Sequence, residues 1–382
     1  MRIRRLMLLA WLGVLLPAVL SSARKQEEQL KTQVRALLPA PPATTVADSS
    51  RLIFRVAPVT TQGLLSRQVR DALKSLLKSL KRDRIVHLRA FVAGSGDTRR
   101  VQTVVSEVFT RKHLPLPSLS VIQVGPLPTP GAQVAIEVVA ESKRTRNPNG
   151  LAFISGQAVA SSEVTLAVAP LVERSLAKVR SAVYSLGLKP KDVLRLTCSC
   201  SSLEDGSSVG PKMTAAFPKA AINYVQLRRA YTRAFVSCEA LARLKEDPET
   251  PLRFLNPKQI PTAGDHSQIA LIAPGQVTFS GTQLAFRSLD SDVHLAFDRL
   301  GHSLEKQHAS LSTVAFTHIY TLSEAITRKV RRLQFHYFDR NDPPASTVVE
   351  IEGLPSLDAS FAMDVVAVVE RRDPSVISKK GN

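Results

Sequence analysis

The sequence has few aromatic residues, few cysteines and few acidic residues for its length. Aromatic side chains make up 5% of 382 residues, and no stretch interleaves them with basic residues as single-stranded nucleic-acid platforms do. Three cysteines are too few for a disulfide scaffold. The shortage of acids leaves 51 Lys and Arg against 32 Asp and Glu, a formal net charge of +19. This balance favours an anionic partner, for which we expect a component of the cell envelope and not nucleic acid.

Common catalytic and metal-binding motifs are also missing. There is no Gly-x-Ser-x-Gly elbow, no His-Glu-x-x-His and no Rossmann fingerprint. The glycines of 92–100 lack the Gly-Lys-Ser/Thr of a phosphate loop, so a turn followed by an Asp97 N-cap is predicted there. The third part of the chain is rich in histidine without metal-ligand spacing, so scattered helix and strand positions are predicted for His294, His302, His308, His318 and His336. No metal and no cofactor are expected.

The cysteines leave one question open. Cys198 and Cys200 are two residues apart in a predicted strand, so their side chains share a face and run parallel, which disfavours a mutual disulfide. A bond from either of them to Cys238 remains open. Without a nearby histidine or a second pair, Cys-x-Cys does not define a metal site.

The first residues predict export. Three arginines precede an apolar run from Leu6 to Leu20, and small residues follow up to Ala23. This is the layout of a secretory signal peptide cleaved after Ala23, and the run is short beside the ~20 residues that a spanning helix needs. We expect an exported chain, periplasmic or extracellular, with an uncleaved membrane anchor as the alternative.

One strand and helix pattern recurs three times after the leader. Two apolar strands that end in Ser-Gly, NGLAFISGQ (149–157) and GQVTFSGTQ (275–283), each precede an amphipathic helix. In each repeat the order is strand, helix, strand, helix, strand, strand, and the helix within 64–82 has its apolar residues on one face. The predicted boundaries are a signal peptide over 1–23, a leader or linker over 24–48, modules over 49–142, 143–245 and 264–373, a Pro-rich linker over 246–263 and a basic tail over 374–382.

The pattern predicts an α+β fold of three tandem modules, of which the first is the most degenerate. Each module is a mixed sheet that two helices cover on one face only. The other face of each sheet must be buried, and the other two modules supply the surface that buries it.

The third module contains GDHSQ (264–268), VTFSGTQ (277–283), HYFDRNDPPASTVVEIEGLP (336–355) and FAMDVVAVVERR (361–372), and these motifs resemble those of the RidA/YjgF family. GDHSQ (264–268) stands where that family has Gly-Pro-Tyr-Ser-Gln, and VTFSGTQ matches its strand ending in Ser-Gly-Gln. HYFDRNDPPASTVVEIEGLP (336–355) is similar to Phe-Phe, a spacer, Pro-Ala-Arg and a strand ending in Leu-Pro. FAMDVVAVVERR (361–372) resembles the closing strand, which usually reads Val-Glu-Ile-Glu-Ala-Ile-Ala. Looser versions of the same motifs recur in the first two modules.

The resemblance implies homotrimers of a chorismate-mutase-like fold, with sheets inside, helices outside and ligand clefts between subunits. Three modules in one chain then form an intramolecular pseudo-trimer, and we expect a monomer. The family's enamine/imine deaminase chemistry uses an arginine that pairs with the substrate carboxylate. It also uses a glutamate early in the last strand, which positions water, and a tyrosine near the start of the chain.

Carried onto this sequence, these positions hold neither an arginine nor a glutamate. The arginine position falls on Leu119, Ala220 and Ser346, the glutamate position on Ala135, Ser237 and Ala362, and the third module's tyrosine position on His266. No catalytic residue is therefore assigned, and these seven residues are the candidates for lining clefts between modules.

These positions predict a non-catalytic protein that binds a small molecule in its inter-module clefts or serves as an interaction protein. A first alternative is a divergent enamine/imine deaminase-like hydrolase in which His266 and a neighbour act as acid and base. A second alternative is binding of an anionic polymer or nucleic acid, driven by the net charge.

Overall fold

The computed structural model describes residues 38–94, 97–161, 167–203, 206–229, 233–261 and 264–370. The predicted signal peptide (1–23) and basic tail (374–382) lie outside these residues. A first strand, β1 (Thr44–Asp48), precedes the first module. That module consists of β2 (Leu52–Val56), α1 (Leu65–Leu80), β3 (Arg84–Ala93), α2 (Thr98–Arg111), β4 (Ser118–Val124) and β5 (Val134–Glu141).

The second and third modules repeat this order. Module 2 consists of β6 (Leu151–Ala160), α3 (Val168–Ser185), β7 (Val193–Cys200), α4 (Gly206–Ala216), β8 (Ala221–Gln226) and β9 (Phe235–Arg243). Two additional strands follow it, β10 (Leu252–Leu255) and β11 (Ile269–Ile272). Module 3 consists of β12 (Gln276–Ser280), β13 (Gln283–Phe286), α5 (Asp290–Glu305), β14 (Val314–Thr321), α6 (Glu324–Leu333), β15 (Ala345–Glu350) and β16 (Ala359–Val368).

The three modules have the same strand order. It is β2-β5-β3-β4 in module 1, β6-β9-β7-β8 in module 2 and β12-β16-β14-β15 in module 3. In each sheet the last two strands of this order are parallel and the other pairs are antiparallel. This shared order confirms the predicted α+β fold of three tandem modules.

The helices cover the outer face of each sheet, as the sequence pattern predicts. On α1 the buried positions include Val69, Leu73, Leu76 and Leu80, which recur at helical spacing and pack on the sheet of module 1. The equivalent layers of modules 2 and 3 form two further cores. The inner sheet faces share two apolar clusters to which all three modules contribute, so the modules pack as an intramolecular pseudo-trimer.

One aromatic contact shows the threefold arrangement directly. Each module carries a phenylalanine at the same register of its first sheet strand, and its ring lies against one shared position on the second strand of the next module. Arg195 Cζ lies 5.9 Å from the centre of the Phe54 ring. The ring centres are 5.6 Å apart for Phe153 and Phe316, and 5.9 Å apart for Phe279 and His87. The contacts therefore run from module 1 to 2, from 2 to 3, and from 3 back to 1.

The leader and the linker differ from their prediction, because both contain strands. The predicted leader (24–48) includes β1, which pairs with β12 of module 3, and the predicted linker (246–263) includes β10, which pairs with β11. Strand β11 itself joins the sheet of module 2 by pairing with β6. Short strands that add to a neighbouring module have no periodicity of their own that names their partner, so the sequence pattern did not reveal them.

The structure settles the open cysteine pairing. Cys198 on β7 and Cys238 on β9 are directly opposite and form a disulfide. Cys200 is a buried free thiol, and burial raises its pKa to about 12. It is therefore an unreactive core residue at neutral pH.

Candidate functional site

Where the three sheets meet, the interior holds a network of charged side chains. Arg89 donates to Glu137 of its own module at 2.6 Å and to Glu239 of module 2 at 2.9 Å. Arg89 is 3% exposed, and the two glutamates are 2% and 3% exposed. Arg195 adds a second contact to Glu239 at 3.2 Å. Buried charges are tolerated only when they are paired and hydrogen-bonded, and here each carboxylate has a cation beside it.

Module 3 completes the network. The His318 ring lies between two acids, with Nδ1 2.7 Å from Asp364 and Nε2 3.0 Å from Glu239. Asp364 also accepts a hydrogen bond from the hydroxyl of Ser120 in module 1 at 2.7 Å. Arg89 donates to the hydroxyl of Tyr320 at 3.3 Å. The network thus joins all three modules.

The acids of the network occupy one equivalent position in the three modules. In the antiparallel pairing with the closing strands, Glu137 is opposite Arg89, Glu239 is opposite Thr197 and Asp364 is opposite His318. Each acid accepts hydrogen bonds from the following module. The donors are Thr197 and Asn223 to Glu137, His318 to Glu239, and Ser120 to Asp364. These acids therefore hold the module interfaces together.

The pKa shifts support this description. Burial raises the pKa of Glu239, but His318 and Arg89 outweigh it and hold that pKa well below its usual range. Burial likewise opposes ionisation of Asp364, whose pKa the charge of His318 lowers to about 2. Burial and Arg89 lower the pKa of His318, but the two acids leave it raised above its ordinary value. Carboxylates with such low pKa values are poor general bases at neutral pH.

The strand register corrects one predicted position. Leu119 and Ser346 lie at equivalent points of β4 and β15, and the equivalent point of β8 is Ile222 and not Ala220. Ala220 precedes the strand and packs half-buried against the core of module 2. The prediction of Ala220 rested on the local sequence motif, whereas the pairing of β8 with β7 sets the register. With the correction, no module carries an arginine at this point.

A second correction concerns acidic residues. Ala135, Ser237 and Ala362 are equivalent, as predicted, but two residues further along each strand, on the same face, stand Glu137, Glu239 and Asp364. Each closing strand thus does carry an acid, which matching the motif letter by letter missed. The signal that could have found these residues is the recurrence of one acid in VAIEVV, VSCEAL and FAMDVV.

The structure brings His266, Ser346 and Ser237 to the interface of modules 2 and 3. His266 Nδ1 lies 2.7 Å from Asp265, and the backbone N–H of Ser346 donates to Ser155 Oγ at 2.8 Å. A Cβ added to Gly156 would lie 2.6 Å from Ser237 Oγ and 3.0 Å from Thr347 Oγ1. This part of the interface is packed shut. Ala135 and Ala362 lie apart from it, in an apolar inner cluster.

Open space lies elsewhere along the three seams, the lines where neighbouring modules meet. A cavity of about 850 Å³ near β10 includes Leu252, Phe254 and Val368 in its lining. A groove of about 870 Å³ between modules 1 and 2 is lined by β2 and many basic residues. A small cavity of about 180 Å³ between modules 3 and 1 includes Leu119, which alone among the predicted cleft residues lines one of these three spaces.

The helix α2 begins with the predicted cap. Asp97 accepts a hydrogen bond from the Arg99 N–H at 3.1 Å, which confirms the predicted N-cap. Among the described residues, no group of three His, Cys, Asp or Glu side chains is arranged to hold a metal ion. The same residues contain no helix long and apolar enough to cross a membrane.

Fold and interior together define a single-chain assembly of three equivalent α+β modules joined by buried ion pairs. The sequence profile of the family described as Endoribonuclease L-PSP matches residues 57–142 and 257–369, just over half of the chain. The chain therefore belongs to this family, which includes the RidA/YjgF proteins. The profile matches modules 1 and 3, while module 2 is recognised as the same unit by its strand order.

Solved structures of the family are similar to parts of the chain at low identity. The conserved Rid family protein YyfB from Yersinia pestis is 15% identical and covers 31% of this chain and 100% of its own, with a TM-score of 0.28. A YjgF family member from Neisseria meningitidis is 14% identical over 31% of this chain and 96% of its own, with a TM-score of 0.24. RidA from an Antarctic Psychrobacter is 13% identical and covers 24% of this chain and 80% of its own, with a TM-score of 0.23. No curated protein sequence matches this chain.

Proposed function

We propose that this protein is an exported member of its family that binds a partner between its modules and does not catalyse the family's reaction. The observation that carries the proposal is the set of residues at the arginine point: Leu119, Ile222 and Ser346. None of them can form the two parallel hydrogen bonds by which a guanidinium holds a carboxylate.

The buried acids support the same conclusion. Glu137, Glu239 and Asp364 are each at most 3% exposed and already bond to a neighbouring module. A group that positions an attacking water must reach that water directly or through one hydrogen bond. Here the carboxylate oxygens already accept hydrogen bonds from neighbouring modules, so a substrate would first have to break the interfaces between modules.

Export is part of the proposal. The arginine-led apolar segment at the N-terminus predicts it. The disulfide between Cys198 and Cys238 supports it, because such bonds persist in oxidising compartments.

An imine-hydrolysis assay tests the absence of catalysis. The mature protein is mixed with an enamine generated in situ from an amino acid, beside an active deaminase of the family and the variant His266→Ala. We expect the rate of the buffer alone. Acceleration that disappears in His266→Ala would replace this proposal with the divergent hydrolase, since His266 is the one titratable candidate at the packed interface.

A further inference from the structure

Two of the three seams are covered by a strand that the chain itself supplies. β1 pairs with β12, with Thr45 opposite Phe279, and β11 pairs with β6, with Ala270 opposite Phe153. The strand of module 1 that is equivalent to β12 and β6 is β2, and β2 is the outermost strand of its sheet. The place beside Phe54 that corresponds to Thr45 and Ala270 holds no strand among the described residues.

The connection into module 2 explains the difference. The strands that cover the other seams come directly before the first strand of a module, as β1 precedes β2 and β11 precedes β12. Before β6, residues 142–150 form a loop instead. Asn147 of this loop donates to the carbonyl of Leu52 at 3.0 Å, which satisfies only the beginning of β2.

The free side of β2 presents backbone donors. Residues at both ends of β2 bond toward β5. The Ala57 N–H donates to the Ile136 carbonyl in β5, and the Ser142 N–H, just after β5, donates to the Arg51 carbonyl. Along an antiparallel strand, every second residue directs its backbone N–H and C=O toward the partner strand, and the residues between direct theirs to the opposite side. Since Arg51 and Ala57 face β5, the N–H groups of Phe54 and Val56 face the free side. Within the described part of the chain, the carbonyl of Phe54 accepts a hydrogen bond only from Arg55 Nη1, at 2.8 Å. An unpaired edge of this kind is a template for another strand.

The groove beside this edge is strongly basic. Nine cations and a single acid, Asp83, line it, and all nine cations are exposed. None of them takes part in an ion pair with another described residue, unlike the neighbouring Arg84, which pairs with Glu141. The nine are Arg55, Lys81, Arg82, Lys143, Arg144, Arg146, Lys191, Lys219 and Arg243.

This charge is particular to the seam between modules 1 and 2. The cavity near β10 has a similar volume, but its lining carries three acids, Asp48, Asp342 and Glu370, and one cation, Arg253. Nine unpaired cations around one groove repel one another, and an anionic occupant relieves that repulsion. The uncovered seam is therefore also the seam that attracts negative charge.

We propose that the edge of β2 binds an extended acidic segment of a partner protein as an added antiparallel strand, in the place that β1 and β11 fill at the other seams. Main-chain bonds to Phe54 and Val56 supply the pairing, and acidic side chains meet the cations on both sides of the groove. The chain's own ends are poor occupants, because 24–37 and 371–382 each carry more basic than acidic residues. The inference deepens the proposed binding function, on which it rests, by naming the partner's chemistry.

The test uses the full mature chain and a fluorescein-labelled octapeptide of alternating Asp and Val, capped at both ends. Fluorescence anisotropy at low salt is expected to show saturable binding that weakens about tenfold or more when the ionic strength is raised from 50 to 300 mM. The double variant Lys143→Glu/Arg144→Glu is expected to weaken binding by a similar factor. Lys258→Glu/Lys306→Glu, which reverses two exposed cations away from the groove, is the matched control and is expected to change it less than twofold.

A second peptide separates strand addition from simple charge attraction. In this peptide every second backbone nitrogen is methylated, which keeps every charge and removes the hydrogen-bond donors on one side of the extended strand. A third peptide is methylated at the other nitrogens, so that one of the two lacks the donors whichever side faces β2. Loss of binding in at least one of them supports the added strand. Equal binding of all three peptides, or binding of an oligonucleotide with none of the peptide, overturns it. The imine assay reads a different property, so turnover in that assay and failure of peptide binding are distinguishable results.

Discussion

Replacing Arg89 with methionine tests whether the buried network holds the modules together. The side chain lies between Glu137 and Glu239, at 2.6 and 2.9 Å, and all three groups are almost fully buried. Removing one partner of a buried ion pair leaves an uncompensated charge and costs about 3–5 kcal/mol. Glu239 keeps Arg195 and His318, and Glu137 keeps two neutral donors, so we expect the lower end, about 3 kcal/mol.

Urea unfolding at neutral pH measures the loss, provided that the dependence on urea concentration is the same in both proteins. Arg99→Met is the control, because Arg99 is exposed and its ion-pair partner among the described residues is the exposed Asp97. It is expected to change stability by less than about 0.5 kcal/mol. A loss below about 1 kcal/mol for Arg89→Met would refute the reasoning, since it would mean that the two glutamates do not depend on this charge.

Three further substitutions test Asp364 and His318 in the buried network and Gly156 at the interface of modules 2 and 3. Because the folded pKa of Asp364 is about 2, its contribution is present above ~pH 4 and is lost as pH falls through about 2; Asp364→Asn should flatten the decline of stability in acid. Because the folded pKa of His318 is raised, its contribution to stability is complete below ~pH 6.5 and is lost as pH rises through the folded pKa. His318→Gln should therefore flatten the decline of stability at alkaline pH. Urea midpoints that do not change across a pH series would contradict both statements. Gly156→Ala places a Cβ 2.6 Å from Ser237 Oγ and should cost about 1–3 kcal/mol in thermal or urea unfolding, whereas Gly275→Ala, with nothing within 4 Å, should not; equal effects would show that the interface of modules 2 and 3 is not tightly packed.

The sequence predicted the modules because their periodicity is strong. The apolar face of α1, the Ser-Gly strand of β6 and the closing strand β16 each have a pattern that pairing within one module explains. The repeated order then implied three equivalent units and an inner face that must be buried. The structure confirms the tandem arrangement, and it adds the direction of packing, in which Phe54 of module 1 lies against Arg195 of module 2.

The site was less predictable, because its residues act across modules. No motif in the local sequence marks Arg89 or His318, and only the packing of three sheets brings them to one point with Glu239. Ala220 was misplaced because strand pairing, and not neighbouring letters, sets the register of β8. The uncovered edge of β2 is likewise invisible in the sequence, since it follows from a strand that modules 2 and 3 receive and module 1 does not.

We expect one chain to close on itself and to do what three subunits do in a homotrimer. Sedimentation equilibrium of the mature protein over a wide concentration range tests it most directly. The expected result is the mass of a single chain at every concentration, because the threefold contacts are already satisfied within the chain. An obligate trimer of chains would contradict it, because the inner faces would then be buried between molecules.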